Sequence, residues 1–233
     1  MLGSSYQQRR GQIANYFDRT AAEAWSRMTS DAPLGRIRRT VRAGRTQMRE
    51  ILLDWLPADL TGRRVLDAGC GTGALAVAMA QRGAEVIAVD LSPTLIELAH
   101  ERKPADLGPE RLKFLVGDLL DPVLGDFNHV VAMDSLIHYE AEDALRVIAG
   151  LAGRTDGSMV FTFAPRTPLL ALMHALGRIF PKGDRAPAIE PISEAALRSR
   201  LGEKESLAGW RVARTQRIIS GFYTSQAIEL LPV

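Results

Sequence analysis

The sequence predicts an α/β protein built on a largely parallel sheet with helices on both faces. Three observations carry that expectation. From about residue 62 onward, short apolar runs alternate with segments of helical period. The first of those runs passes into its helix through a glycine-rich turn, Gly69-Cys70-Gly71-Thr72-Gly73. Finally, 233 residues with 46% hydrophobic content suffice for one sizeable core, so one large domain with an appendage is expected.

The appendage comes first. Ile37, Val41, Met48, Ile51, Leu52 and Trp55 recur at roughly helical spacing, with Arg36, Arg38, Arg39, Arg42, Arg45 and Arg49 on the other faces. Pro57 ends that helix, and Thr29-Ser30-Asp31-Ala32-Pro33 breaks the chain before it, so two helices joined by a loop are expected. Residues 1–56 therefore read as a helical arm or lid and 57–233 as the main domain. Within that domain, strands are predicted at 64–68, 85–90, 111–116, 129–133 and 158–163. Helices are predicted at 74–81, 93–103 and 142–151, with Ser92 as N-cap and Pro93 in the first turn of the second. Segments 210–219 and 222–231, separated by Ser220-Gly221, read as a closing hairpin with an antiparallel strand.

Composition excludes several classes. A net charge of +2 is too small to indicate a nucleic-acid surface by itself. The single cysteine, Cys70, cannot form an internal disulfide, which suits a reducing cytoplasmic setting. The polar N-terminus has no apolar signal-peptide core. Residues 168–180 are apolar but interrupted by His174 and Arg178, too short to span a bilayer. Four scattered histidines (His100, His129, His138, His174) and the acidic residues show no metal-ligand spacing, so no protein-bound metal is expected.

The chemistry is read from the turn. A dinucleotide site would present G-x-G-x-x-G and helix N–H groups to a pyrophosphate. Here the third glycine comes one residue early, and Asp67 stands two positions before the first. A carboxylate there suits a cationic ammonium and repels a pyrophosphate. Asp90 closes the second strand, where a carboxylate can take both hydroxyls of a ribose. Asp118, in Val116-Gly117-Asp118-Leu119 after the third strand, is placed to accept from an adenine amino group. Three acidic residues thus fall at the carboxyl ends of successive strands, around the crevice where such sheets bind ligands. The pattern reads as a site for S-adenosylmethionine, with Asp67, Gly69, Cys70, Gly71, Gly73, Asp90, Leu91, Asp118, Leu119 and Met133 around it. Arg42 or Arg45 is within reach of the donor's carboxylate from the second helix.

Over residues 62–165 this arrangement resembles the class I S-adenosylmethionine-dependent methyltransferases. The resemblance implies a Rossmann-like, seven-stranded sheet of order 3-2-1-4-5-7-6 with strand seven antiparallel. Further motifs narrow it: Asn15-Tyr16-Phe17-Asp18-Arg19-Thr20 and Trp25 in the arm, Met133-Asp134-Ser135-Leu136-Ile137-His138-Tyr139 after strand four, and Phe163-Ala164-Pro165-Arg166-Thr167 after strand five. Together they resemble, nearly end to end, the magnesium protoporphyrin IX methyltransferases of chlorophyll and bacteriochlorophyll biosynthesis. The chain departs from the plant-type members at Arg45, where those more often carry histidine. The resemblance implies esterification of one propionate of the magnesium porphyrin, the magnesium belonging to the substrate. It also implies a partner, the large porphyrin-binding subunit of magnesium chelatase.

A propionate, with a pKa near that of glutamate at about 4.3, is already an ionised nucleophile at neutral pH. The enzyme's work is then alignment and partial desolvation. A weak donor suits that work better than a bidentate arginine, which would quench the nucleophile. His138 and Tyr16 are therefore the candidate catalytic pair, with Tyr139, Arg166, Phe17 and Trp25 as candidate acceptor contacts. Residues 168–180 read either as core helix or as a lid over a flat apolar ligand that also touches a membrane surface peripherally. Rival readings are an O-methyltransferase for a phenolic or quinone-precursor acceptor, an RNA methyltransferase using the arginine-rich helix, and a catalytically silent donor-binding module. Modest charge and the lack of a base-stacking motif speak against nucleic acid, and the intact acidic and glycine set against the silent module.

Overall fold

A computed structural model of the chain describes residues 4–20, 35–166 and 189–233. Helix α1 (Ser4–Asn15) runs into a single π-helical turn (Tyr16–Thr20). Helix α2 (Arg36–Trp55) precedes the alternating units β1 (Arg64–Ala68), α3 (Ala74–Gln81), β2 (Glu85–Asp90), α4 (Pro93–Arg102) and β3 (Leu112–Val116). Then follow β4 (Phe127–Ala132), α5 (Ala141–Ala152), β5 (Thr155–Phe163), α6 (Glu194–Glu203), β6 (Trp210–Ser220) and β7 (Tyr223–Pro232). The breaker at 29–33, Trp25 and the apolar stretch 168–180 lie outside the described residues.

The seven strands form one sheet of order β3-β2-β1-β4-β5-β7-β6. All pairings are parallel except those of β7, which runs antiparallel to β5 and β6. The class I methyltransferase architecture is thus as expected. The hairpin turn is shifted one residue, to Gly221-Phe222, because Ser220 pairs with Tyr223.

Strand alternation divides the apolar residues between two cores. On one face Leu66, Ala68, Ile87 and Val89 meet α1, α5 and α6. On the other, Val65, Val86 and Ala88 meet α2, α3 and α4. Met48 and Leu52 of α2 are fully buried in that second core, and burial of each contributes about 1.5–3 kcal/mol. The rear half of the predicted arm is therefore rooted in the domain, while α1 lies across the opposite face. Ser92 caps α4 as expected, its Oγ accepting from Leu95 N at 3.2 Å.

The chain steps outward from β1 to β3, then returns across β1 to β4. That reversal opens a crevice at the carboxyl ends of β1 and β4, where open α/β sheets bind ligands.

Candidate active site

At that crevice lies a cavity formed by the glycine turn, the ends of β2 and β4, one face of α2 and the arm's Phe17. The turn after β1 is held by the strand beside it. Gly69 and Cys70 donate to Val89 O at 2.8 and 3.0 Å. Gly69 adopts φ +84, and a Cβ there would stand 2.3 Å from that of Ser135. Ser135 in turn donates to Ala68 O at 2.7 Å, locking the β4 loop against the β1 turn.

Asp67 lies on the cavity floor and is 1% exposed. Burial, reinforced by the charge of Asp90, pushes its pKa up to about 7, against one backbone hydrogen bond from Ala76. Its Oδ2 is buried with no hydrogen-bond donor. A buried carboxylate oxygen lacking a donor, beside a turn whose glycines take left-handed backbone, fits a ligand carrying an ammonium and a sulfonium. Asp90 also lines the cavity. Its Oδ2 accepts from Gly71 N at 2.8 Å and its Oδ1 from Ser92 N at 3.0 Å, and burial raises its pKa. The carboxylate is thereby fixed in orientation while keeping lone pairs for ribose hydroxyls.

Donor affinity consequently rises with pH. In the unliganded protein Asp67 is about half protonated near pH 7, and a cation beside it favours the carboxylate, so binding releases a proton. Calorimetric titration of S-adenosylmethionine should show affinity increasing through pH 7 and levelling above it, with Asp67→Asn flattening the dependence. Equal affinity on both sides of neutrality in the unaltered protein contradicts this account. The same shift fixes the sign of its stability effect. The folded pKa lies above the ordinary 3.8, so Asp67's contribution is present at low pH and is lost as pH rises toward about 7.

Of the predicted donor residues, Asp67, Gly69, Cys70, Gly71, Asp90, Leu91, Leu119, Met133 and Arg42 all line the cavity. Two do not. Gly73, at φ +80, serves packing: a Cβ there would meet the Phe114 ring at 2.6 Å. Asp118 is engaged by the arm instead of facing the cavity. Its Oδ2 pairs with Arg10 Nη1 at 2.7 Å, and its Oδ1 accepts from the Tyr6 hydroxyl at 2.8 Å and from Leu120 N at 2.9 Å.

Asp118 is thus one of the points where the arm is pinned. At another, Asp18 Oδ1 accepts from Thr94 Oγ1 at 2.7 Å and Thr94 N at 3.1 Å, capping α4 from outside. Tyr6 is buried and stacks on Tyr139, ring centroids 5.2 Å apart. Asp118→Ala leaves the Tyr6 hydroxyl buried without its acceptor, a cost of ~1–3 kcal/mol. Amide exchange across α1 should accelerate several-fold. Unchanged α1 protection in that variant would show that the latch lies elsewhere.

Among the predicted catalytic and acceptor residues, His138 lines the cavity and is 9% exposed. The Phe17 ring meets it edge-on at 5.7 Å. Phe17 and Tyr139 also line the cavity. Tyr16 does not; it packs edge-on against Phe17 at 5.2 Å, and burial raises its pKa. Arg166 is exposed and does not line the cavity.

Thr46, Arg49, Asp134 and Ser135 also line the cavity, and the sequence reading had not singled them out. For two of them a signal was present. Arg42, Arg45, Thr46 and Arg49 follow helical spacing on one face of α2. Asp134 carries another signal visible only in three dimensions: its backbone is left-handed, at φ +53, a conformation in which aspartate and asparagine are the commonest residues after glycine.

A seven-stranded sheet with β7 reversed and an acidic, glycine-walled donor cavity at its switch point define an S-adenosylmethionine-dependent methyltransferase of class I, and residues 65–154 match the family model for a methyltransferase domain. Residues 132–232 match that of the magnesium-protoporphyrin IX methyltransferase C-terminus. The magnesium-protoporphyrin O-methyltransferase of Rhodobacter capsulatus is 45% identical over 99% of this chain and 100% of that protein. The chloroplastic magnesium protoporphyrin IX methyltransferase of Arabidopsis thaliana is 32% identical, over 95% of this chain and 70% of its own length. The crystal structure of magnesium protoporphyrin IX methyltransferase from Synechocystis PCC 6803 with bound SAH superposes with a TM-score of 0.84, at 30% identity, covering 97% of this chain and 100% of that one. The chain belongs to the magnesium-protoporphyrin O-methyltransferase family.

Proposed function

We propose that this enzyme transfers a methyl group from S-adenosylmethionine to a propionate carboxylate of magnesium protoporphyrin IX, giving the monomethyl ester in (bacterio)chlorophyll biosynthesis. The observation that carries the reading is likeness over the whole chain to relatives named for that reaction, on a fold whose switch-point cavity is lined by Asp67, Asp90 and the glycine turn. A carboxylate oxygen attacks the sulfonium methyl carbon, the carbon–sulfur bond breaks, and S-adenosylhomocysteine leaves as a neutral thioether. No proton need move. The protein's part is to hold the two reactants in line and to strip water from the nucleophile, a gain of up to ~7–11 kcal/mol in favourable cases.

His138 is the catalytic residue in this reading, supported by its place in the cavity wall beside Phe17. Its imidazole orients the carboxylate through one hydrogen bond and leaves a lone pair for attack. Tyr16, on the same arm turn as Phe17, is the second candidate donor. Of the proposed arm, residues 1–56, helix α2 also supplies one wall of the donor cavity, most of which residues 57–233 form. The porphyrin-binding subunit of magnesium chelatase is the proposed upstream partner, since a poorly soluble tetrapyrrole favours direct handover. Among the described residues no helix is long and apolar enough to cross a membrane. A cytoplasmic enzyme touching a membrane peripherally through residues 168–180 remains a proposal that liposome flotation reads directly.

Absorbance titration with a magnesium porphyrin tests the acceptor. A shifted Soret band at micromolar protein is expected. An unshifted band with salt-sensitive RNA retention favours the RNA methyltransferase, and an unshifted band with methylation of a phenol favours the quinone-precursor enzyme.

A further inference from the structure

We infer that Asp134 is a positioning residue for the methyl donor, holding Arg45 so that its guanidinium receives the donor's amino-acid carboxylate. The inference rests on the reading of this cavity as the donor site.

Asp134 is the second residue beyond β4, and its side chain is 6% exposed. Its carboxylate gathers donors from three other elements. Thr162 of β5 donates to Oδ1 at 3.1 Å while its hydroxyl accepts from Asp134 N at 2.7 Å. From β7, Ser225 donates to Oδ1 at 3.1 Å, and the Tyr223 hydroxyl lies 3.2 and 3.1 Å from Oδ1 and Oδ2. From α2, Arg45 Nη1 meets Oδ2 at 2.5 Å.

These contacts fill the lone pairs of Oδ1 with hydroxyls from the sheet. Asp134 lines the cavity, yet its capacity is committed inward, so it is poorly suited to binding the donor's ammonium itself. Its charged partner is different. Arg45 lines the same cavity, and its guanidinium carries five N–H groups in a planar fork, more than one carboxylate takes. A carboxylate anchored by three hydroxyls is a rigid base for a long, flexible cation. It removes rotamer freedom from Arg45 before the ligand arrives, which lowers the cost of binding. The left-handed backbone at Asp134 turns the carboxylate back toward β5 and β7 from the end of β4. Arg42 and Arg49, one turn to either side on α2, complete a cationic wall. Those arginines and Asp67 line one cavity, which offers opposite charges to the two ends of an amino-acid zwitterion.

The test compares two ligands that differ at the amino-acid end. S-adenosylhomocysteine carries the carboxylate, and 5′-methylthioadenosine lacks the amino-acid group. Asp134→Asn suits the purpose because asparagine also tolerates the left-handed backbone. In that variant the Kd of S-adenosylhomocysteine should rise about tenfold (~1.4 kcal/mol), with that of 5′-methylthioadenosine nearly unchanged. Arg45→Gln should show the same selective loss, and the double variant no further loss. Tyr223→Phe, which removes one anchoring hydroxyl, should show it in smaller degree and keeps the test open if Asp134→Asn fails to fold. Equal weakening of both ligands would show a merely structural role and overturn the inference. So would unchanged binding of both. Failure of the unaltered protein to bind S-adenosylhomocysteine would instead overturn the donor-site reading beneath it.

Discussion

Replacing His138 with alanine lowers kcat by on the order of 10²-fold while leaving the affinity for S-adenosylmethionine near its original value. The reasoning starts from the nucleophile, which needs no base, so the histidine's contribution is orientation and exclusion of water. His138 sits in the cavity wall with Phe17 edge-on against it. The donor's expected contacts lie elsewhere, at Asp67, Asp90 and the arginine face of α2. An interaction made mainly with the reacting carboxylate lowers kcat and kcat/KM together. Single-turnover kinetics with donor bound first isolates the chemical step. A variant that keeps its kcat removes His138 from the mechanism, and one that loses donor affinity moves it to the donor side.

Gly69→Ala should abolish measurable donor binding and strongly destabilise the fold. The backbone at φ +84 adds strain of about 1–3 kcal/mol for a residue with a side chain. The new methyl would lie 2.3 Å from Ser135 Cβ, and relieving that overlap costs about 1–3 kcal/mol more. The movement that relieves it also breaks the Ser135–Ala68 hydrogen bond joining the β1 and β4 loops. Both loops wall the donor cavity, so binding fails with stability. Calorimetry and chemical denaturation read the two losses separately. A variant with ordinary stability and donor affinity would show that the turn tolerates a side chain.

What was legible in the sequence follows how local the determining physics is. Strands β1 and β2 are bounded as predicted, because buried apolar runs flanked by glycine or proline punctuation define them without help from elsewhere. Strand β5 begins at Thr155, three residues before its predicted start. Asp156-Gly157 carries a turn signal, and pairing with β4 through an irregular register overrides it. The donor turn was legible for the same reason as the early strands: glycine spacing and preceding acid are local. The partners of Asp118 were not legible, because Tyr6 and Arg10 stand more than a hundred positions away in a helix whose docking no spacing reveals. Asp134 has no local signal for its role, because that role needs Thr162, Tyr223, Ser225 and Arg45 brought together by β5, β7 and α2. His138 and Tyr16 were chosen on chemistry and resemblance together. The fold brings the first into the cavity and leaves the second beside Phe17.

The central claim is that one carboxylate of a magnesium porphyrin receives the methyl group. Incubating the protein with methyl-labelled S-adenosylmethionine and magnesium protoporphyrin IX, then weighing the porphyrin by mass spectrometry before and after mild alkali, tests it most directly. The account predicts a labelled gain of one methylene that alkali removes, as an ester requires. A label that survives alkali, or no labelled porphyrin under conditions where donor binding is demonstrated, contradicts it.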